Sequence, residues 1–120
     1  MTQPRDPLGL LPLTPALFHV LVALADEDRH GYAIIKDVSA RTAGAVDLGT
    51  GTLYGIIKRL LAEGLAVESH RRPPADSDDE RRRYYRLTPL VRKVLAAETA
   101  RLESMVTAAR ATRALRKGAS

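Results

Sequence analysis

Apolar positions recur at helical spacing through the first half of the chain. Thr14-Pro15 opens the first run: threonine is a good helix cap, and proline is tolerated at the first helical position, where its missing N–H would have had no partner. Leu17, Phe18, Leu21, Leu24 and Ala25 follow on one face, and the polar run Asp26–His30, closed by Gly31, ends the helix. Ile34, Ile35, Val38 and Thr42 mark a second helix, with Gly44 placed to stop it. After a tight connection over 45–49, Leu53, Ile56, Ile57, Leu60 and Leu61 form an i, i+3, i+4, i+7, i+8 stripe, the strongest helical signal in the chain, and Gly64 ends it.

The period then changes to two. Leu65, Val67 and Ser69 alternate with Ala66, Glu68 and His70, which predicts a half-buried strand. Residues 72–80 are proline-broken and then acidic, a loop. Arg83–Leu87 predict the returning strand, with Tyr85 and Leu87 inward. Thr88-Pro89 repeats the cap-and-proline start, and a long helix is expected from Leu90 to about Arg116, stopped by Gly118. Residues 1–13, with three prolines, a glycine and no periodicity, predict an extended arm.

Three helices, a hairpin and a long helix predict a mainly α chain with a small β-hairpin (α+β). The arrangement is a winged helix-turn-helix over residues 14–88, whose third helix enters the major groove, and a C-terminal helix over 89–117. The last helix has no neighbour left in so small a unit. Its apolar positions Val91, Leu95, Leu102, Met105 and Ala109 keep a near-heptad spacing broken by Glu98, so a partner helix, and hence a homodimer, is expected.

Composition narrows the function. The 120 residues suffice for one modest core, and the absence of cysteine excludes disulfides, thiolate zinc sites and thiol catalysis. No apolar run approaches the ~18 residues of a membrane span, and the N-terminus does not read as a signal peptide, so a cytoplasmic protein with no membrane partner is expected. The formal charge of +5 suggests an anionic partner. Its distribution says more: residues 1–57 carry net −2, 58–93 net +4 and 94–120 net +3, while four of the middle segment's six acids crowd into Asp76–Glu80. That segment is either a solvated basic face or one that meets an anion.

Opposite the third helix's apolar stripe lie Gly51, Gly55, Lys58, Arg59 and Ala62. An exposed glycine inside a helix costs about 1 kcal/mol against alanine, so two of them need a reason. Close approach to a nucleic-acid groove is one; the alternative is that Gly51 belongs to the cap and Gly55 packs on a neighbour. His19, His30 and His70 share no metal-ligand spacing, no serine has a GxSxG context, and no glycine-rich loop matches a phosphate cradle. Carboxylates at 76–80 sit in a proline loop, a poor frame for a catalytic pair. Neither an enzyme nor a cofactor is expected.

The runs His30-Gly31-Tyr32-Ala33-Ile34-Ile35, Leu48-Gly49-Thr50-Gly51-Thr52-Leu53-Tyr54, Ile57-Lys58-Arg59-Leu60, Glu63-Gly64-Leu65 and Arg81–Thr88 resemble, in order and spacing from about residue 13 to 100, the PadR-like transcriptional regulators. One terminal helix after the wing resembles the family's short subgroup. Thr50 stands where many members have proline, and Val91 where glycine is frequent. The resemblance implies a winged-helix repressor, dimeric through its last helix, that binds a palindromic operator in double-stranded DNA and often releases it for a small molecule. It implies that Thr52, Tyr54, Lys58 and the wing arginines face DNA and that Tyr32 reaches a phosphate. The candidate DNA contacts are therefore Tyr32, Thr50, Thr52, Tyr54, Lys58, Arg59, Arg81, Arg82, Arg83 and Tyr84. Phe18, Leu102 and Met105 are candidate walls for an apolar or aromatic effector, or else fill a dry dimer core. The competing function is a dimeric ligand-binding or protein-interaction module without operator binding.

Overall fold

The computed structural model describes residues 12–69 and 83–116. The expected loop over 72–80, most of the N-terminal arm, His70, Arg81, Arg82 and Gly118 lie outside the described residues.

Helix α1 (Pro15–Asp26) starts as its sequence predicts, the Thr14 hydroxyl accepting from the Leu17 N–H at 3.2 Å. A two-residue strand, β1 (Arg29–His30), follows before α2 (Gly31–Arg41). Two residues are too few to show alternation, so the pattern could not announce it. His30 caps α2, its Nδ1 accepting from the Ala33 N–H at 3.2 Å. The helix stops where expected: Gly44 is left-handed at φ 81°, and Ala43 joins it at φ 52°. For alanine that conformation costs about 1–2 kcal/mol. The Thr42 hydroxyl ties the turn together, donating to the Val38 carbonyl at 2.8 Å and accepting from the Val46 N–H at 3.0 Å.

Helix α3 (Thr50–Ala62) buries Leu53, Ile57 and Leu60, half-buries Ile56, and leaves Leu61 exposed, so its apolar stripe is one position narrower than the sequence suggests. Gly64, at φ 72°, turns the chain into β2 (Ala66–Glu68), which pairs antiparallel with β3 (Tyr84–Leu87). The sheet order is β1-β3-β2, so β3 is central. Tyr85 and Leu87 point inward as expected. Val67 does not: it is 46 % exposed while Leu65 and Ala66 are both buried. Leu65 still belongs to the helix-ending turn, its N–H bonded to the Leu60 carbonyl, so the strand's parity starts at Ala66.

Helix α4 (Pro89–Arg110) ends six residues before the expected Arg116, and 111–116 form turns. Thr88 precedes it without capping it; its hydroxyl donates instead to the Gly64 and Leu65 carbonyls at 3.0 and 3.1 Å, fastening the helix to the turn after α3. The expectation that this helix lacks a neighbour needs correction. Val91 and Val94 are fully buried in one core with Leu21, Leu53 and Leu60, and Leu95 packs against it. Val91 thus serves its own chain and is withdrawn from the expected dimer seam.

Candidate nucleic-acid interface

The α3 face opposite the core presents Thr50, Gly51, Thr52, Gly55, Lys58, Arg59 and Ala62, all exposed. A Cβ built on Gly51 or Gly55 would meet nothing within 4 Å, so packing on a neighbour does not explain Gly55. Two helical glycines facing open space leave a smooth strip beside Thr52 and Lys58, and close approach of another surface is the use such a strip has.

The cations around it differ in availability. Lys58 makes no ion pair among the described residues. Arg59 Nε donates to Glu63 Oε2 at 2.7 Å, one helical turn on. Arg83, 70 % exposed at its side chain, stands 3.4 Å from Glu68 across the hairpin. Arg86 is held by Asp28 at 3.0 Å, and that hydrogen-bonded carboxylate raises the guanidinium's pKa; Asp28 also accepts from the Ser69 hydroxyl at 2.6 Å. The acids of the N-terminal half are spent similarly. Arg29, 15 % exposed, faces Asp26, Glu27 and Asp37 within 3.5 Å, and Arg41 pairs with Asp26 and Asp37. The acids around the α1–α2 junction are thus largely neutralised by arginines of the same chain.

Tyr32 and Tyr54 are both about half exposed, at 55 % and 49 %. Lys36 Nζ lies 5.5 Å from the Tyr32 ring centroid, a cation–π distance, on the exposed side of α2. Sequence reasoning passed over Lys36, although its i, i+4 spacing from Tyr32 was the available signal. Tyr84 is corrected: the residue is 9 % exposed and its ring meets His30 edge-on at 5.3 Å, so it is buried in the wing rather than offered to DNA. Arg81 and Arg82 lie outside the described residues.

The effector candidates fare unevenly. Phe18 and Leu102 line an open groove of about 510 Å³ with Thr99, Glu103, Val106, Thr107 and Arg110. Met105 is not part of it; its sulfur accepts from Arg101 Nη1 at 3.0 Å and the side chain is 54 % exposed. Nearby, Glu98 is 1 % exposed although charged. Its carboxylate accepts from Arg101 and from the Leu13 N–H at 2.9 Å, which pins residue 13 to α4. The Arg101 hydrogen bonds hold this carboxyl below the usual range, against the opposing pull of burial. The break in the heptad was the visible sign of this residue; its use was not. Among the described residues no three His, Asp or Glu side chains gather as a metal site, and no helix is long and apolar enough to cross a membrane.

The sequence model of the transcriptional regulator PadR-like family matches residues 20–97. The chain is 33 % identical over 87 residues to a transcriptional regulator, Rv3488, of Mycobacterium tuberculosis, covering 72 % of this chain and 75 % of that one. Among solved structures it is similar to a PadR family transcription regulator from Clostridium difficile, at TM-score 0.61 and 25 % identity, covering 77 % of this chain and 92 % of the other. It is also similar to Bordetella bronchiseptica BpsR, in a structure described as the mechanism for regulation of its DNA binding by 6-hydroxynicotinic acid, at TM-score 0.60 and 26 % identity, covering 86 % and 71 %.

Proposed function

Because the chain belongs to the PadR-like family of transcriptional regulators, we propose that it acts in the cytoplasm as a dimeric repressor, laying α3 into the major groove of a palindromic operator. The observation that carries this reading is the exposed strip Gly51-Thr52-Gly55-Lys58: it combines absent side chains, a hydroxyl and a cation that makes no ion pair among the described residues on one helical face. Thr52 and Lys58 are then the base-edge readers. Tyr32 and Lys36 on α2, with Arg83 and the neighbouring Arg81 and Arg82, supply phosphate contacts, which position the protein without reading sequence.

Two copies are required for a palindrome. The outer half of α4, with Met105 and Val106 exposed, is the proposed seam, and half-sites one turn of DNA apart require it to hold the two α3 helices about 34–36 Å apart. The groove beside Phe18 and Leu102 is of a size that suits a small ligand, about 300–1,000 Å³. We assign it to an apolar or aromatic effector that weakens operator binding, a reading supported by what is said of BpsR.

The test is enrichment of duplexes from a random-sequence library, followed by salt-dependent binding of variants to the enriched and to scrambled duplexes. Thr52→Ala or Lys58→Ala should narrow the gap between the two by about 1–3 kcal/mol. Arg82→Ala should weaken both similarly and flatten the salt dependence by about 0.9. An Arg82→Ala variant that loses operator preference while Thr52→Ala and Lys58→Ala keep it would reverse these roles.

A further inference from the structure

The contact between Tyr54 and Gly31 joins the recognition helix to the start of α2. A Cβ built on Gly31 would stand 2.3 Å from the Tyr54 hydroxyl oxygen, 2.7 Å from Cζ and 3.1 Å from Cε1. Those are overlaps that only a movement of the Tyr54 ring relieves. Gly31 is buried at the first position of α2, and it is not among the left-handed glycines of the described residues, Gly44 and Gly64. Its backbone conformation therefore does not demand glycine, and alanine would be the better helix former. The missing side chain is explained by what occupies its place.

The seat is braced on its other side. His30, the preceding residue, caps α2 with its ring and meets Tyr84 of the central strand edge-on at 5.3 Å. Tyr54 in turn lies close enough to the strand to act on Tyr85, whose hydroxyl is pushed up chiefly by burial and further by Tyr54. Wing strand, α2 cap and recognition helix thus meet at one joint, to which α3 contributes Tyr54.

From this geometry we infer that Gly31 is a positioning residue of the DNA interface: its bare Cα seats the Tyr54 ring and so fixes where the first turns of α3 present Thr52 and the Gly55 strip. The inference rests on the DNA reading given above. Tyr54 is half exposed, so a side chain at 31 drives the ring toward solvent instead of unfolding the core. The displaced ring then stands on the face that must approach base edges. Sequence preference is lost, while the phosphate contacts from α2 and the wing persist.

The experiment uses the full chain as Gly31→Ala, Tyr54→Ala and the double variant. Readouts are affinity for a duplex enriched by the wild type and for a scrambled duplex, the salt dependence of each, the thermal midpoint, and the tyrosine-ring and α3 amide resonances of the free protein. Gly31→Ala should keep a midpoint at or above wild type, move the Tyr54 ring and the amides of the first α3 turn, and lower the enriched-to-scrambled ratio by roughly tenfold with an unchanged salt slope. In the Tyr54→Ala background the same substitution should change nothing further. Unmoved Tyr54 resonances, an equal loss in both backgrounds, or a Gly31→Ala chain that unfolds would each overturn the inference. Failure to enrich any duplex would instead sink the DNA reading, and the ring resonances would still decide whether Gly31 seats Tyr54.

Discussion

The two halves of α4 are one continuous helix in very different surroundings. In the first, Val91, Val94 and Glu98 are buried, the valines in the core with α1 and α3, and Glu98 against residue 13 and Arg101. In the second, every residue from Glu103 to Arg110 is exposed, including Met105 at 54 % and Val106 at 50 %. Local propensity does not separate them, since both are rich in alanine and long side chains. Helices shorter than about 12–15 residues are marginal alone in water, so the outer half draws its order from continuity with the docked half and from whatever covers it. A single apolar periodicity therefore packs the core in the first half, and the association proposed above falls to the second.

The same substitution on each half separates those purposes. Val94→Asp places an unpaired carboxylate in the core, a penalty of several kcal/mol against a typical total stability of about 5–15 kcal/mol, and should leave no cooperative unfolding transition. Val106→Asp, at an exposed site, should leave the transition intact in dilute protein but abolish the dimer that the proposed seam predicts for the wild type in sedimentation. A Val106→Asp chain that sediments like the wild type would remove the outer half of α4 from the seam.

That contrast also shows where the sequence could be read. The α3 stripe, apart from the exposed Leu61, and the inward Tyr85 and Leu87 were legible because burial of one face leaves a period, and both threonine-proline pairs mark helix starts although only Thr14 caps its helix. What stayed hidden has no period. Tyr84 reads as an outward wing residue until β1 is known to cover it, because β1 comes from a distant two-residue segment. Val91 reads as part of a seam because a heptad position does not say which neighbour fills it. In the candidate site, Thr52, Lys58 and the two glycines were readable as a face, whereas the Tyr54–Gly31 contact needs two helices in place before it exists.

Glu98 marks the boundary between the halves, and acid should find it. Its carboxyl is held below the ordinary value near 4.5 by hydrogen bonds from Arg101, so the folded state binds this proton less readily than the unfolded chain. The stability it contributes is full above that range and is lost as pH falls through and below it. Urea midpoints measured over a pH series should show Glu98→Gln less stable than wild type at neutral pH, with the two curves converging in acid. Parallel curves would mean that the charge on Glu98 contributes nothing to the docking of residue 13 and α4.

The smallest expected effects bear on whether the outer half of α4 unfolds with the rest. Ala96 and Ser104 are both exposed positions inside the helix, one on each half. Glycine in place of alanine costs about 1 kcal/mol in a helix interior, and in place of serine about 0.5 kcal/mol, with no contact removed in either case. Ala96→Gly lies on the docked half, so its cost should appear in global unfolding at every protein concentration. Ser104→Gly should register only where the outer half is held by a second copy, because a segment already frayed in the monomer loses nothing further when its helix is weakened. Denaturation at micromolar and at nanomolar protein separates the two. If Ser104→Gly cost the same at both concentrations, the outer half would be part of the folded unit without a partner, and the division of α4 into a docked half and an associating half would fall.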